Sequence, residues 1–289
     1  MQHVVLIGSQ RSGTTLAGQV LGAHPHTLLI DEPDGLYYWA HVYFRKGECE
    51  LSQSLFRRCC ITARTKYRQP ADRVGEDGTL HPSVTHLVLK APNLTWYPEE
   101  VAEYFPGTVA VCLVRDVRDV VVSMREHPIV LGRQVLMMTQ NRRLLDWRPE
   151  LVDAVCNPLV PDIVKMAIVA TTKMVFVEHF RAAGVPVLTI RYEDLVRQPD
   201  RVVPALLRHA RLPLVSGCLE PSHVLQGEGP GGTVRTRRID ETSVGRWRVK
   251  LAPHEEELVW AAVGGLMAAI GYERGEVGWS SVSRETRGG

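Results

Sequence analysis

The stretch HVVLIGSQRSGTTLAG at residues 3–18 constrains this chain more than any other. An apolar, β-branched run stops at Gly8, a short loop ends at Gly13, and Thr14 and Thr15 lead into a segment with an apolar face through Leu16, Val20 and Leu21. That is a strand passing through a G-x-x-x-x-G loop into a helix. Backbone N–H groups of such a loop and the positive end of the helix dipole converge on one point, so an anion is the natural occupant. The loop departs from a nucleoside-triphosphate loop at one place: Thr14 stands where a lysine would reach β- and γ-phosphates. A cradle without that lysine suits a ligand that presents one phosphate at the helix mouth, its transferable group pointing away. Thr14 and Thr15 add hydroxyl donors, and Arg11 can fork onto two oxygens. The octet also reads as a plain strand-to-helix turn with an exposed arginine.

Apolar runs recur at His3–Gly8, Thr27–Asp31, Val84–Lys90, Thr108–Val114 and Val185–Arg191, each short enough for a buried strand and separated by segments of helical periodicity. This pattern predicts an α/β, P-loop-type three-layer fold with a central, mostly parallel sheet flanked by helices. Pro98-Glu99-Glu100 opens one helix, Pro161-Asp162 opens a long one that Gly184 closes, and Pro253 begins another running to about Gly271. Pro204 predicts a kink or break in the helix after Pro199. Gly227–Gly232 (GEGPGG) reads as a mobile loop. With 45% hydrophobic residues in 289, one core is sufficient: a single domain over 1–275 and a flexible tail over 276–289.

A second anion site is written in VCLVRDVRDVVVSM. Arg115 and Asp116 stand at the C-terminal end of the fourth strand, the edge where open parallel sheets bind ligands. If Asp116 or Val117 starts a helix, Arg115 and Ser123 face one compact anion; the alternative is an ordinary arginine-aspartate surface cluster. Thirty-four basic against thirty-two acidic residues leave a net charge of +2, so nothing favours a nucleic-acid partner, and any basic site is local. No apolar run approaches the roughly 20 residues of a membrane helix. The first strand lies close to Met1, leaving no room for a secretory leader, so a cytoplasmic protein is expected. Six cysteines (Cys49, Cys59, Cys60, Cys112, Cys156, Cys218) show neither C-x-x-C pairs nor zinc spacing and read as reduced thiols.

Taken together, GSQRSGTT, HPHTLLIDEP, LVLKAPN, LVRDVRDVVVS and RYEDLVRQP, with SVGRWR following, resemble the ordered motifs of sulfotransferases that use 3′-phosphoadenosine 5′-phosphosulfate (PAPS). The likeness is greatest to the branch containing bacterial, heparan-type and tyrosylprotein enzymes, and it covers nearly the whole chain. It implies that Arg11, Ser12, Gly13, Thr14 and Thr15 bind the 5′-phosphosulfate and that Arg115 and Ser123 bind the 3′-phosphate. Tyr192 would contact the adenine end, and Arg246 would close over the 3′-phosphate with Trp247 packed beneath the loop. The arginine-lysine-glycine tripeptide of cytosolic members is absent; Arg235, Arg237 and Arg238 are candidate substitutes or simply a solvated basic strand.

The resemblance further implies in-line sulfuryl transfer to a hydroxyl of a small-molecule, lipid or carbohydrate acceptor, with PAP as product and no metal. Glu32 falls at the family's glutamate base, with Asp31 as its rival, and Lys90 at the lysine that steadies the bridging oxygen; Arg11 completes the catalytic set. Both acids also read as solvated turn carboxylates, and Lys90 as a snorkelling surface lysine. Tyr37, Tyr38, Trp39, Tyr43 and Phe44 line an acceptor pocket or serve as core. Two other readings stand beside this one: a P-loop kinase acting on a small metabolite, which predicts a phosphate lysine and a magnesium carboxylate, and a non-catalytic binding module.

Overall fold

The computed structural model describes residues 1–31, 36–66, 68–70, 72–126, 129–223, 228–229, 233–234 and 238–275. Five strands, β1 (Gln2–Gly8), β2 (Thr27–Asp31), β3 (His86–Lys90), β4 (Val109–Val114) and β5 (Val187–Arg191), form one sheet in the order β2-β3-β1-β4-β5. All four pairings are parallel. The five expected strands are therefore all present, β2 with the expected bounds and the other four with starts shifted by one or two residues. Glu228–Gly229 (β6) and Thr233–Val234 (β7) pair antiparallel. The mobile-loop expectation for Gly227–Gly232 otherwise falls outside the described residues, as does the tail over 276–289.

Helices α1 (Thr14–Gly22), α2 (Leu36–Lys46), α3 (Glu50–Thr65), α4 (Pro98–Tyr104) and α5 (Val117–Arg125) belong to the first half of the chain. They are followed by α6 (Ile129–Thr139), α7 (Arg142–Trp147), α8 (Pro149–Cys156), α9 (Asp162–Val175) and α10 (Val177–Ala182). The chain ends with α11 (Tyr192–Arg197), α12 (Pro199–His209), α13 (Trp247–Lys250) and α14 (Pro253–Ala269). Alternation along the strands divides them between two cores. Val5 and Ile7 face a large cluster with α3, α5, α9 and α14, whereas Val4 and Leu6 face a smaller one with α1 and α12. The result is three layers with a sheet buried on both faces, which is why its strands read as continuous apolar runs.

Three local expectations need correction or refinement. The segment from Pro161 to Gly184 is two helices, because Phe176 interrupts it and buries its ring against Trp96 and Trp147, with centroids 5.0 and 5.5 Å away. α12 passes through Pro204 without a break; burial of Val203, Leu206 and Leu207 outweighs the backbone bond that proline cannot donate. Trp39, Tyr43 and Phe44 are core residues, with Tyr43 stacked on Phe105 at 5.6 Å, while Tyr38 is exposed. Among the described residues no helix is long and apolar enough to cross a membrane.

From β1 the chain places β2 and β3 on one side and β4 and β5 on the other. The crevice outside the C-terminal ends of β1 and β4 is thus the topological switch point, where doubly wound sheets bind ligands.

Candidate functional site

β1 ends at Gly8, whose φ of +113° brings its backbone so close to β4 that an added Cβ would lie 2.5 Å from the Leu113 carbonyl oxygen. Its N–H donates to Thr95 Oγ1 at 2.9 Å, fixing the strand's exit. The loop then closes on itself, with Ser12 Oγ donating to the Ser9 carbonyl at 2.7 Å. Arg11 takes a left-handed conformation, φ 67°, as does Gly13 at φ 102°. This turn aims the first N–H groups of α1, beginning at Thr14, outward from the sheet edge. Ser12 is buried within the loop, while Arg11, Gly13, Thr14 and Thr15 line a cavity of about 290 Å³.

The opposite wall of that cavity comes from the end of β4 and from α5. Asp116 caps α5 by accepting the Arg118 N–H at 2.9 Å, so the helix starts at Val117 as the motif requires. Arg115 and Ser123 both line the cavity and meet the loop directly. Arg11 Nε donates to Ser123 Oγ at 2.9 Å, and Arg115 Nη1 donates to the Arg11 carbonyl at 2.9 Å. Arg115 also donates to the Ser243 carbonyl, yet its buried Nε has no partner among the described residues. Burial holds Arg11 below the usual arginine range; nearby Arg115 and Arg246 add to this and Glu126 opposes it. Such crowding of guanidinium groups is relieved by an anion.

Tyr192, first residue of α11, sits between these walls. Its ring would lie 2.4 Å from a Cβ at position 13, and the Arg115 guanidinium stacks on it at 4.4 Å. Tyr192 therefore lines the cavity between the two arginine-rich ends. Arg246 lines it too and pairs with Glu126 at 2.7 Å. Its segment is held from α5: Asp119 accepts the N–H groups of Gly245 at 2.7 Å and Trp247 at 3.0 Å. Trp247 packs over Arg118, whose guanidinium lies 3.8 Å from the ring and pairs with Asp116 and Glu256. Behind the cap, Glu193 accepts the Asp116 N–H at 3.0 Å and the Tyr272 hydroxyl at 2.7 Å. Burial pushes the carboxyls of Asp119 and Glu193 above their usual range.

The sites expected at the other half of the sheet edge do not share this cavity's lining. Asp31 and Lys90 are register partners at the ends of β2 and β3, both buried, with their charges 3.1 Å apart. Neither is the solvated group that a surface reading allows. Glu32 lies outside the described residues, as do Arg235 and Arg237; Arg238 is described and lines the cavity. Behind the loop, buried Lys173 of α9 donates to Gln10 Oε1 at 2.8 Å and Asn93 Oδ1 at 2.7 Å. Among the described residues no His, Cys, Asp and Glu cluster is suited to a metal ion.

Asp119, Glu193 and Gln19, which also lines the cavity, are absent from the motif reading. Asp119 lies inside RDVRD and reads as a first-turn helix acid. What gives it a role is Gly245, and no local pattern announces that contact.

The sulfotransferase family model matches residues 3–147, half of the chain, spanning the loop, Lys90, Arg115 and Ser123. Curated protein sequences yield no match. Among solved structures, the sulfotransferase domain from the curacin biosynthetic pathway superposes with a TM-score of 0.55 at 18% identity, over 91% of this chain and 96% of that one. The sulfotransferase domain of the Synechococcus PCC 7002 olefin synthase gives 0.55 at 16% identity, over 90% and 94%. A sulfotransferase from Alicyclobacillus acidocaldarius gives 0.50 at 12% identity, over 93% and 96%. At these identities the structural likeness is one of fold.

Proposed function

The chain belongs to the sulfotransferase family, whose members are PAPS-dependent transferases, and on that premise we propose that it moves a sulfuryl group from PAPS to the hydroxyl of a small-molecule, lipid or carbohydrate acceptor. The observation that carries this reading is the joining of the loop to Arg115, Ser123 and Arg246 around one cavity, linked directly by Arg11 and Ser123 at 2.9 Å. A ligand with anionic groups at two ends fits such a lining, and the buried Arg115 Nε, without a partner among the described residues, supplies a donor for one of them.

In this reading Arg11, Ser12, Gly13, Thr14 and Thr15 hold the 5′-phosphosulfate through loop N–H groups, hydroxyls and a guanidinium fork. Arg115, Ser123 and Arg246 hold the 3′-phosphate. PAPS supplies the sulfuryl group. The acceptor oxygen bonds to sulfur as the bond from sulfur to the phosphate oxygen breaks, and that bond's electron pair leaves with PAP. Glu32, the residue after β2, takes the acceptor's proton. Lys90 is assigned to the bridging oxygen, and its pairing with Asp31 favours Glu32 over Asp31 as the base. The single-domain organisation over 1–275 belongs to the same proposal.

The test is PAPS turnover with a library of hydroxyl acceptors, read by mass spectrometry as the gain of one sulfuryl group. Thermal shift accompanies it: PAP stabilises the protein and ATP with magnesium does so far less. Preferential stabilisation by ATP with magnesium would instead point to the kinase.

A further inference from the structure

The two anion-binding ends leave part of the cavity wall unexplained. Leu16 and Gln19 lie three residues apart on one face of α1, and both line the cavity. Gln19 is one turn beyond Thr15, about 6 Å further along the helix axis, and so stands away from the loop that meets the phosphosulfate. It is 4% exposed, and its amide nitrogen has no hydrogen-bond partner among the described residues. A buried amide in that state needs a partner that the described residues do not provide. The Leu16 side chain beside it supplies an apolar surface, and Gln19 an edge carrying one donor and one acceptor.

A carboxamide against a purine edge has a specific complement. Its oxygen accepts from an exocyclic amino group while its nitrogen donates to the adjacent ring nitrogen, the pairing by which glutamine distinguishes adenine. We propose that Gln19 is a specificity-determining residue that reads the 6-amino edge of the nucleotide's adenine. The assignment rests on the proposed PAPS reading and adds to it a base-reading contact that Tyr192, engaged between Gly13 and Arg115, does not make through its phenyl ring.

The experiment measures calorimetric affinities for PAP and for 3′-phosphoinosine 5′-phosphate, which carries a carbonyl in place of the 6-amino group. Wild type, Gln19→Leu and Gln19→Met are compared, the unbranched methionine guarding against a folding defect in the leucine variant. Wild type is expected to prefer PAP by at least about tenfold. In both variants the ratio falls to about one, chiefly through weaker PAP binding, while the inosine ligand is held about as before. Equal losses for both ligands, a retained preference, or no preference in wild type would overturn the role of Gln19 while leaving the PAPS reading standing. Failure of wild type to bind either nucleotide would overturn both.

Discussion

At one end of the cavity the lining comes from a single short loop, through Arg11, Gly13, Thr14 and Thr15; at the other, Arg115 and Ser123 of one motif are joined by Arg246 from a segment far along the chain. The first end is held by backbone conformation, with left-handed residues at positions 11 and 13 and a serine that closes the loop on itself. The second is held by carboxylates outside the cavity's lining: Asp119 pins the segment carrying Arg246, and Glu193 pins the cap of α5. A contiguous cradle fails abruptly when its backbone is strained, whereas an assembled site degrades by steps as its tethers are removed.

Gly13→Ala is therefore expected to be the most damaging single change. It places a Cβ at φ 102°, only 2.4 Å from the Tyr192 ring. Left-handed strain of about 1–3 kcal/mol adds to displacement of a ring that supports Arg115, so PAPS turnover should fall by about 10³-fold. Steady-state rates check this, and near-normal turnover would remove the distinction between the ends. Arg115→Ala comes next. Losing a buried, multiply bonded guanidinium should cost about 3 kcal/mol, roughly 150-fold in PAP affinity. The loss should be small for adenosine 5′-phosphate, which lacks the 3′-phosphate; calorimetry with both nucleotides separates a local defect from a collapsed cavity.

The difference between the ends also explains what the sequence disclosed. Gly8, Gly13 and the threonines announce the loop because strand, turn and helix are adjacent, and the apolar runs announce the sheet because both faces are buried. Asp116 and Ser123 were legible through helical spacing together with the resemblance to the family's motif. Asp119 and Glu193 were not, since their partners lie at Gly245, Trp247 and Tyr272. Gln19 resembles any polar helix residue until its burial is known. The interruption at Phe176 and the continuity through Pro204 are likewise decided by tertiary packing, which overrides local propensity.

Asp119→Asn sharpens the stepwise side of the comparison. An amide can accept one of the two N–H bonds from Gly245 and Trp247 but opposes the other with its own donor. The expected result is a rise of about tenfold in KM for PAPS, near 1.4 kcal/mol, with kcat nearly unchanged. A fall in kcat with constant KM would mean that the tether serves the chemistry and not the grip.

Glu193→Gln should have the smallest effect on binding, within about twofold, because one oxygen still accepts from the cap while the Tyr272 hydroxyl can reorient. Its signature is in stability. Burial is the largest influence on Glu193 and raises its pKa above the ordinary 4.5, against the hydrogen bonds from Asp116 and Tyr272. Below 4.5 the carboxyl is protonated in both folded and unfolded chains. As pH rises from there through the higher folded value, the unfolded chain releases its proton first, so the folded state loses stability. Glutamine does not titrate. The stability of wild type relative to the variant should thus decline as pH rises above 4.5 and level off once the folded carboxyl has ionised, as read by urea unfolding at several pH values. A relative stability that instead grows with pH would show that the cap is held by a favoured carboxylate, making the assembled end stiffer than its buried acids imply.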